Sequence, residues 1–167
     1  MVETIGQLKK SNQKTILLGV SYALLDLADK NIELSSDFIV METGGMKGKR
    51  EEMLKEELHN YLKDKLNVSA IHSEYGMTEL LSQAYSKNNG LYDCPPWMKV
   101  LIRDVNDPFS YLKNGKSGGL NVIDLANLNS CAFIETKDLG KLNPNNQFEI
   151  LGRFDNSDIR GCNLMVI

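Results

Sequence analysis

The chain has 167 residues, 42% of them apolar and 25% charged, and 19 basic against 22 acidic side chains leave a net charge of −3. That length holds one domain or two small ones around a real core, and a charge balance without a basic stripe disfavours nucleic-acid binding. Residues 1–6 carry no signal pattern, and the longest apolar run, 16–25, is too short and too interrupted by glycine and serine to span a bilayer.

In chain order, residues 14–20 read as a buried strand, after which Ser21 is expected to cap a helix running to about residue 30. Residues 38–43 form a second strand, followed by the loop Gly44-Gly45-Met46-Lys47-Gly48-Lys49. Leu54, Leu58, Tyr61, Leu62 and Leu66 recur at helical spacing and predict a helix over 51–66. A third strand over 68–72 leads into Ser73-Glu74-Tyr75-Gly76-Met77-Thr78-Glu79, with a helix expected from 77 to about 86. This alternation predicts an α/β fold with a parallel sheet, flanking helices and right-handed crossovers.

Beyond Asn88-Asn89-Gly90 and Cys94-Pro95-Pro96 the pattern changes. Short β-rich runs at 98–103, 119–123, 132–136 and 148–151 alternate with polar turns and predict a smaller antiparallel β-rich subdomain or barrel. Residues 162–167 read as one more strand. The division expected is an α/β portion over 1–90 and a β-rich portion over 91–167.

The heptad 73–79 concentrates chemistry at a strand end, where open α/β folds bind ligands. Tyr75 can stack on a planar base, and Gly76 lets the backbone approach a ligand. Thr78 can donate to a phosphate oxygen, and Glu79 can take a hard cation such as Mg²⁺. The alternative is plain helix capping by Ser73 or Thr78, with Glu79 at the positive end of the helix dipole. The three cysteines, Cys94, Cys131 and Cys162, form no Cys-x-x-Cys pair, and with only two histidines a structural zinc site is not expected. Reduced thiols in a cytoplasmic protein are the expectation.

Four motifs in order carry a resemblance: Thr43-Gly44-Gly45, Tyr75-Gly76-Met77-Thr78-Glu79, Thr136-Lys137-Asp138, and Gly152-Arg153-Phe154-Asp155 followed by Asp158-Ile159-Arg160-Gly161. Together they resemble the adenylate-forming superfamily of acyl-CoA synthetases, peptide-synthetase adenylation domains and luciferases. LuxE-type acyl-protein synthetases and phenylacetate–CoA ligases are the nearest branches. Lys137 stands where the family pattern has glycine, and no Ser/Thr/Gly-rich phosphate loop is present. The resemblance therefore implies a C-terminal portion of a longer enzyme, inactive by itself.

What the resemblance implies is a site for ATP or AMP and Mg²⁺. Gly44 and Gly45 would lie against adenine, Tyr75 and Gly76 would stack on it and make room for it, and Thr78 would hold the α-phosphate or the carboxylate. Glu79 would bind Mg²⁺, Asp138 the ribose hydroxyls, and Arg153 the ribose or phosphate. Asp138 and Asp155 as turn residues, and Arg153 as a surface cation, are the plainer alternatives.

The implied reaction activates a carboxylic acid, a fatty acid being the first candidate, as an acyl adenylate. The acyl group then passes to a protein thiol, for which Cys162 matches in position; a small buried apolar residue is its other reading. An acyl reductase or carrier protein is the implied partner. Coenzyme A as acceptor, or a non-catalytic nucleotide-binding module, are the rival readings. Cys94 and Cys131 read as structural, and His72 as either lining an acyl pocket or packed and hydrogen-bonded.

Overall fold

The computed structural model describes residues 1–11, 13–46, 48–51 and 53–154. Three parallel strands stand in the order β1-β2-β3: β1 (Thr15–Val20), β2 (Phe38–Thr43) and β3 (Ile71–Tyr75), the third lying three residues later than the expected 68–72. Their register pairs Leu17 with Val40 and Val40 with Ile71, which puts one apolar row on one face. By contact the chain forms two compact units. The first holds Met1–Met77 and Gln83–Tyr92, the second Thr78–Ser82 and the residues from Asp93 onward.

In the first unit the helices α1 (Val2–Lys10), α2 (Ser21–Ala28) and α3 (Lys55–Leu66) share one core with that row. Ile5, Leu24, Leu25, Leu58, Leu62 and Leu66 close over Leu17, Val40 and Ile71. Each such side chain contributes about 1.5–3 kcal/mol on leaving water. The opposite face of the same strands stays open: Ile16, Leu18 and Ile39 are 65%, 53% and 40% exposed.

Helix α3 begins four residues later than its periodicity predicts. Its first turn carries Glu56 and Glu57, which suit the positive end of the helix, and the Leu54 N–H donates to the Glu57 carboxylate at 3.3 Å. It ends at Asn67, which adopts the left-handed conformation (φ 54, ψ 48) that asparagine tolerates. Ser21 is not the expected cap. It is the first residue of α2, after Val20 at the cap position, and its hydroxyl donates to the buried Glu42 at 3.1 Å. Helix α1 had no prediction, since only Ile5 of its residues is buried.

The helix expected over 77–86 does not form. Instead the chain turns and returns as β4 (Ala84–Ser86), antiparallel to β3 with Tyr75 opposite Ala84, and β5 (Tyr92–Asp93) follows. The second unit is an open antiparallel sheet in the order β9-β8-β7-β6, not a barrel. Its strands are β6 (Met98–Arg103), β7 (Ser117–Asp124), β8 (Phe133–Leu142) and β9 (Phe148–Arg153), on the four runs predicted. Val100, Ile102, Leu120, Val122 and Phe148 are buried there. The expected last strand, 162–167, lies outside the described residues. Among the described residues no helix is long and apolar enough to cross a membrane.

Candidate functional site

Thr78 and Glu79 lie on an exposed turn whose backbone is held by buried groups of the second unit. The fully buried Asp124 accepts from the N–H groups of Leu81 and Ser82, both at 2.9 Å, and from the Ser82 hydroxyl at 2.6 Å. Trp97 Nε1 donates to the same hydroxyl at 2.9 Å, and Asn127 Nδ2 donates to the Glu79 carbonyl at 2.7 Å. Burial alone would raise the Asp124 pKa. The Ser82 hydroxyl and the backbone N–H groups of Ser82, Leu81 and Ala126 outweigh it and hold the carboxyl below its usual range.

These bonds also explain the missing helix. Leu81 and Ser82 give their N–H groups to a side chain instead of to the carbonyls of a preceding helical turn. Asp124 and Asn127 were missed in the sequence. The only signal was a pair of short polar residues, Asp124 just before and Asn127 at the end of a 3-10 turn at Leu125–Asn127.

Glu79 fits a magnesium ligand by its chemistry. It is an exposed carboxylate on a fixed backbone, and Mg²⁺ is commonly held by one or two carboxylates plus substrate phosphates. Among the described residues no cluster of three or more His, Cys, Asp or Glu could form an all-protein cage.

Asp138 and Arg153, taken from separate motifs, sit directly opposite each other in the β8–β9 register. Arg153 Nε lies 3.2 Å from Asp138 Oδ1, and the Arg153 side chain is 73% exposed. Asp138 is a strand residue, not a turn residue, and is largely buried. Thr136 supports it: its hydroxyl donates to the Leu120 carbonyl at 3.0 Å and accepts the Asp138 N–H at 3.1 Å. Lys137, in the place of the family glycine, is exposed, and its carbonyl accepts the Phe154 N–H at 2.7 Å.

Tyr75 and the Gly44–Gly45 loop belong to the first unit. Gly44 has φ 66, a left-handed conformation that favours glycine, and accepts the Ser21 hydroxyl at 3.4 Å. A Cβ at Gly45 would meet nothing within 4 Å, so packing does not require glycine there. Gly76 is exposed, and a Cβ on it would touch Gln83 Cγ at 3.3 Å. Tyr75 is buried, 8% exposed, with its ring edge-on to Tyr92 at 6.1 Å and 65°.

Behind Tyr75 lies a polar cluster that the sequence reading missed altogether. Glu42, 1% exposed, pairs with Lys55 Nζ at 2.8 Å and with His59 Nε2 at 3.5 Å. Ser73 Oγ meets the same His59 nitrogen at 3.3 Å, and Lys55 donates to the Tyr92 hydroxyl. Burial would raise the Glu42 pKa, but the His59 hydrogen bond, the Lys55 charge and the Ser73 hydroxyl lower it to about 2. Ser73, His59 and Glu42 have the composition of a hydrolytic triad without its geometry. Serine and carboxylate share one ring nitrogen, and Ser73 is wholly buried.

Of the cysteines, Cys131 is exposed, and Cys94 is half-buried with its thiol pushed up to about 11 by burial and by Asp93. A thiol so raised is a poor nucleophile at neutral pH. Cys162, Asp155, Asp158, Ile159, Arg160 and Gly161 lie outside the described residues. His72 is half-buried on β3.

The fold is part of that of the adenylate-forming enzymes. ATP-bound MatB from Rhodopseudomonas palustris superposes with a TM-score of 0.68 at 18% identity, over 92% of this chain and 33% of that one. O-succinylbenzoate coenzyme A synthetase (MenE) from Bacillus subtilis, in complex with ATP and magnesium ion, gives 0.64 at 17%, over 92% and 34%. Its AMP complex gives 0.63 at 19%, over 95% and 34%. The chain thus spans about a third of the length of these solved structures. No curated protein matches it. The family model described as "Acyl-protein synthetase, LuxE" matches residues 2–167, and the chain belongs to that family.

Proposed function

We propose that this chain is the nucleotide-handling portion of an enzyme that activates a carboxylic acid with ATP and hands the acyl group to a protein thiol. The observation that carries the reading is the Asp138–Arg153 pair, two residues of separate motifs brought opposite each other at 3.2 Å. A carboxylate beside a guanidinium can accept from both ribose hydroxyls while the cation faces a phosphate or the ribose. The family match over residues 2–167 supports the same reading.

In the first step a substrate carboxylate oxygen bonds to the α-phosphorus of ATP and pyrophosphate leaves. Thr78 donates to an α-phosphate oxygen, and Glu79 holds the cation, which when bound offsets charge on the phosphates. By the resemblance, Gly44, Gly45, Gly76 and Tyr75, all of the first unit, would receive the base. In the second step the Cys162 thiolate bonds to the acyl carbon and AMP leaves. A fatty acid is the proposed substrate, an acyl reductase or carrier protein the proposed partner, and the cytoplasm the proposed compartment. Coenzyme A is the second acceptor to consider, because the solved structure of MenE is that of a coenzyme A synthetase.

Calorimetric titration of the 167-residue chain with AMP tests the nucleotide site. Binding by wild type and a loss of about tenfold in Asp138→Asn support it, a size typical of losing a hydrogen bond to a charged group. No binding by wild type, or unchanged binding by Asp138→Asn, overturns it. Asp138 is the cleaner probe, because truncating the buried Tyr75 also opens a cavity. A covalent acyl group that Cys162→Ser abolishes would select the protein thiol over coenzyme A.

A further inference from the structure

We propose that Arg103 is a positioning residue for the ribose end of this site: it holds the Thr136–Asp138 and Gly152–Phe154 segments in the register that sets Asp138 against the ribose. The proposal rests on the reading of Asp138 given above. Arg103 belongs to none of the four motifs, yet its guanidinium touches or neighbours two of them.

The side chain is 8% exposed. A guanidinium taken out of water destabilises the fold unless its donors are used. Nη1 donates to the Leu120 carbonyl at 3.0 Å and to Asn121 Oδ1 at 2.8 Å, both on β7. Nη2 donates to the Thr136 carbonyl on β8 at 2.9 Å and lies 3.3 Å from the mostly exposed carboxylate of Glu135. The Phe154 ring stands 5.5 Å from Cζ. One planar group therefore bridges β7, β8 and the end of β9.

Space for that plate comes from a glycine. A Cβ on Gly119 would lie 2.4 Å from Arg103 Cζ and 2.6 Å from Nη1, a collision that only displacement of the guanidinium relieves. The anchored Thr136 is the residue whose hydroxyl receives the Asp138 N–H, and Phe154 is bonded to Lys137 and adjoins Arg153. Moving the fork shifts both sides of the Asp138–Arg153 pair without removing either. Lysine cannot replace it, because an ammonium is a point donor and does not span two strands as a fork.

The test compares AMP with 2′-deoxy-AMP and 3′-deoxy-AMP by calorimetry in the 167-residue chain, as wild type, Asp138→Asn, Arg103→Lys and Gly119→Ala. The last leaves every polar group in place, and the circular dichroism spectrum checks that each variant keeps the fold. Wild type is expected to prefer AMP by about tenfold or more over each deoxy analogue, since a site built to bond a hydroxyl rejects its absence. All three variants are expected to bring that ratio near one with the circular dichroism spectrum unchanged.

If Asp138→Asn loses the preference while Arg103→Lys and Gly119→Ala keep it, Arg103 has no positioning role and the ribose reading stands. An equal loss for AMP and the deoxy analogues marks Arg103 as merely structural and also overturns the proposal. If Asp138→Asn keeps the preference, or wild type binds no AMP, the reading of Asp138 falls and takes this inference with it.

Discussion

Glu42 occupies a position that belongs to the core. It follows Phe38 and Val40 on the helix-facing side of β2, and it stays ionised there because Lys55, His59, Ser21 and Ser73 surround it. Its pKa falls from 4.5 to about 2, so the folded state favours the carboxylate. The resulting stability is fully present above pH 4.5 and is lost as pH falls through the folded value, by about 3 kcal/mol in total. Urea unfolding of wild type between pH 5 and pH 2.5 should show that slope, and Glu42→Gln should flatten it at the price of a lower starting stability. An unchanged slope in Glu42→Gln would place the titration elsewhere. The cluster was legible in principle: Glu42 shares parity with Phe38 and Val40, and Ser73 with Ile71 and Tyr75. What hid it was its partners, since Lys55 and His59 read as ordinary polar positions on an amphipathic helix until the helix is docked.

At the level of elements, strand periodicity was a good guide and local helix periodicity was not always one. The runs at 98–103, 119–123, 132–136 and 148–151 became β6 to β9, because alternating burial along a strand depends on few neighbours. The segment after β3 failed because its N–H groups are claimed by Asp124, more than forty residues away in sequence. The candidates Thr78, Glu79, Asp138 and Arg153 were singled out by the order of their motifs, and Asp138 and Arg153 stand side by side. Their supports were not, because Asp124, Asn127 and Arg103 act only through tertiary contacts. Asp124→Ala should leave the Leu81 and Ser82 N–H groups without their acceptor and cost about 3 kcal/mol. Hydrogen exchange should accelerate at Leu81 and Ser82 while the β1–β2 ladder keeps its protection. Retained protection at those two amides would mean that the turn is held by something other than this carboxylate.

For the whole molecule, the family match and the fold agree, and the chain aligns with about a third of the larger enzymes it resembles. Parallel sheets normally carry helices on both faces, whereas α1, α2 and α3 all contribute to one core. Ile16, Leu18 and Ile39 are left as neighbours on the other face, in register across β1 and β2. Such a bare wall is adhesive in water: it lowers its free energy by taking up any greasy solute that fits against it. The purified chain should therefore light up an environment-sensitive naphthalene sulfonate dye in its native state. Ile16→Lys with Leu18→Glu should quench that signal and leave the melting temperature nearly untouched, since neither side chain is part of the interior. A dye response that survives both changes would trace the stickiness to another patch.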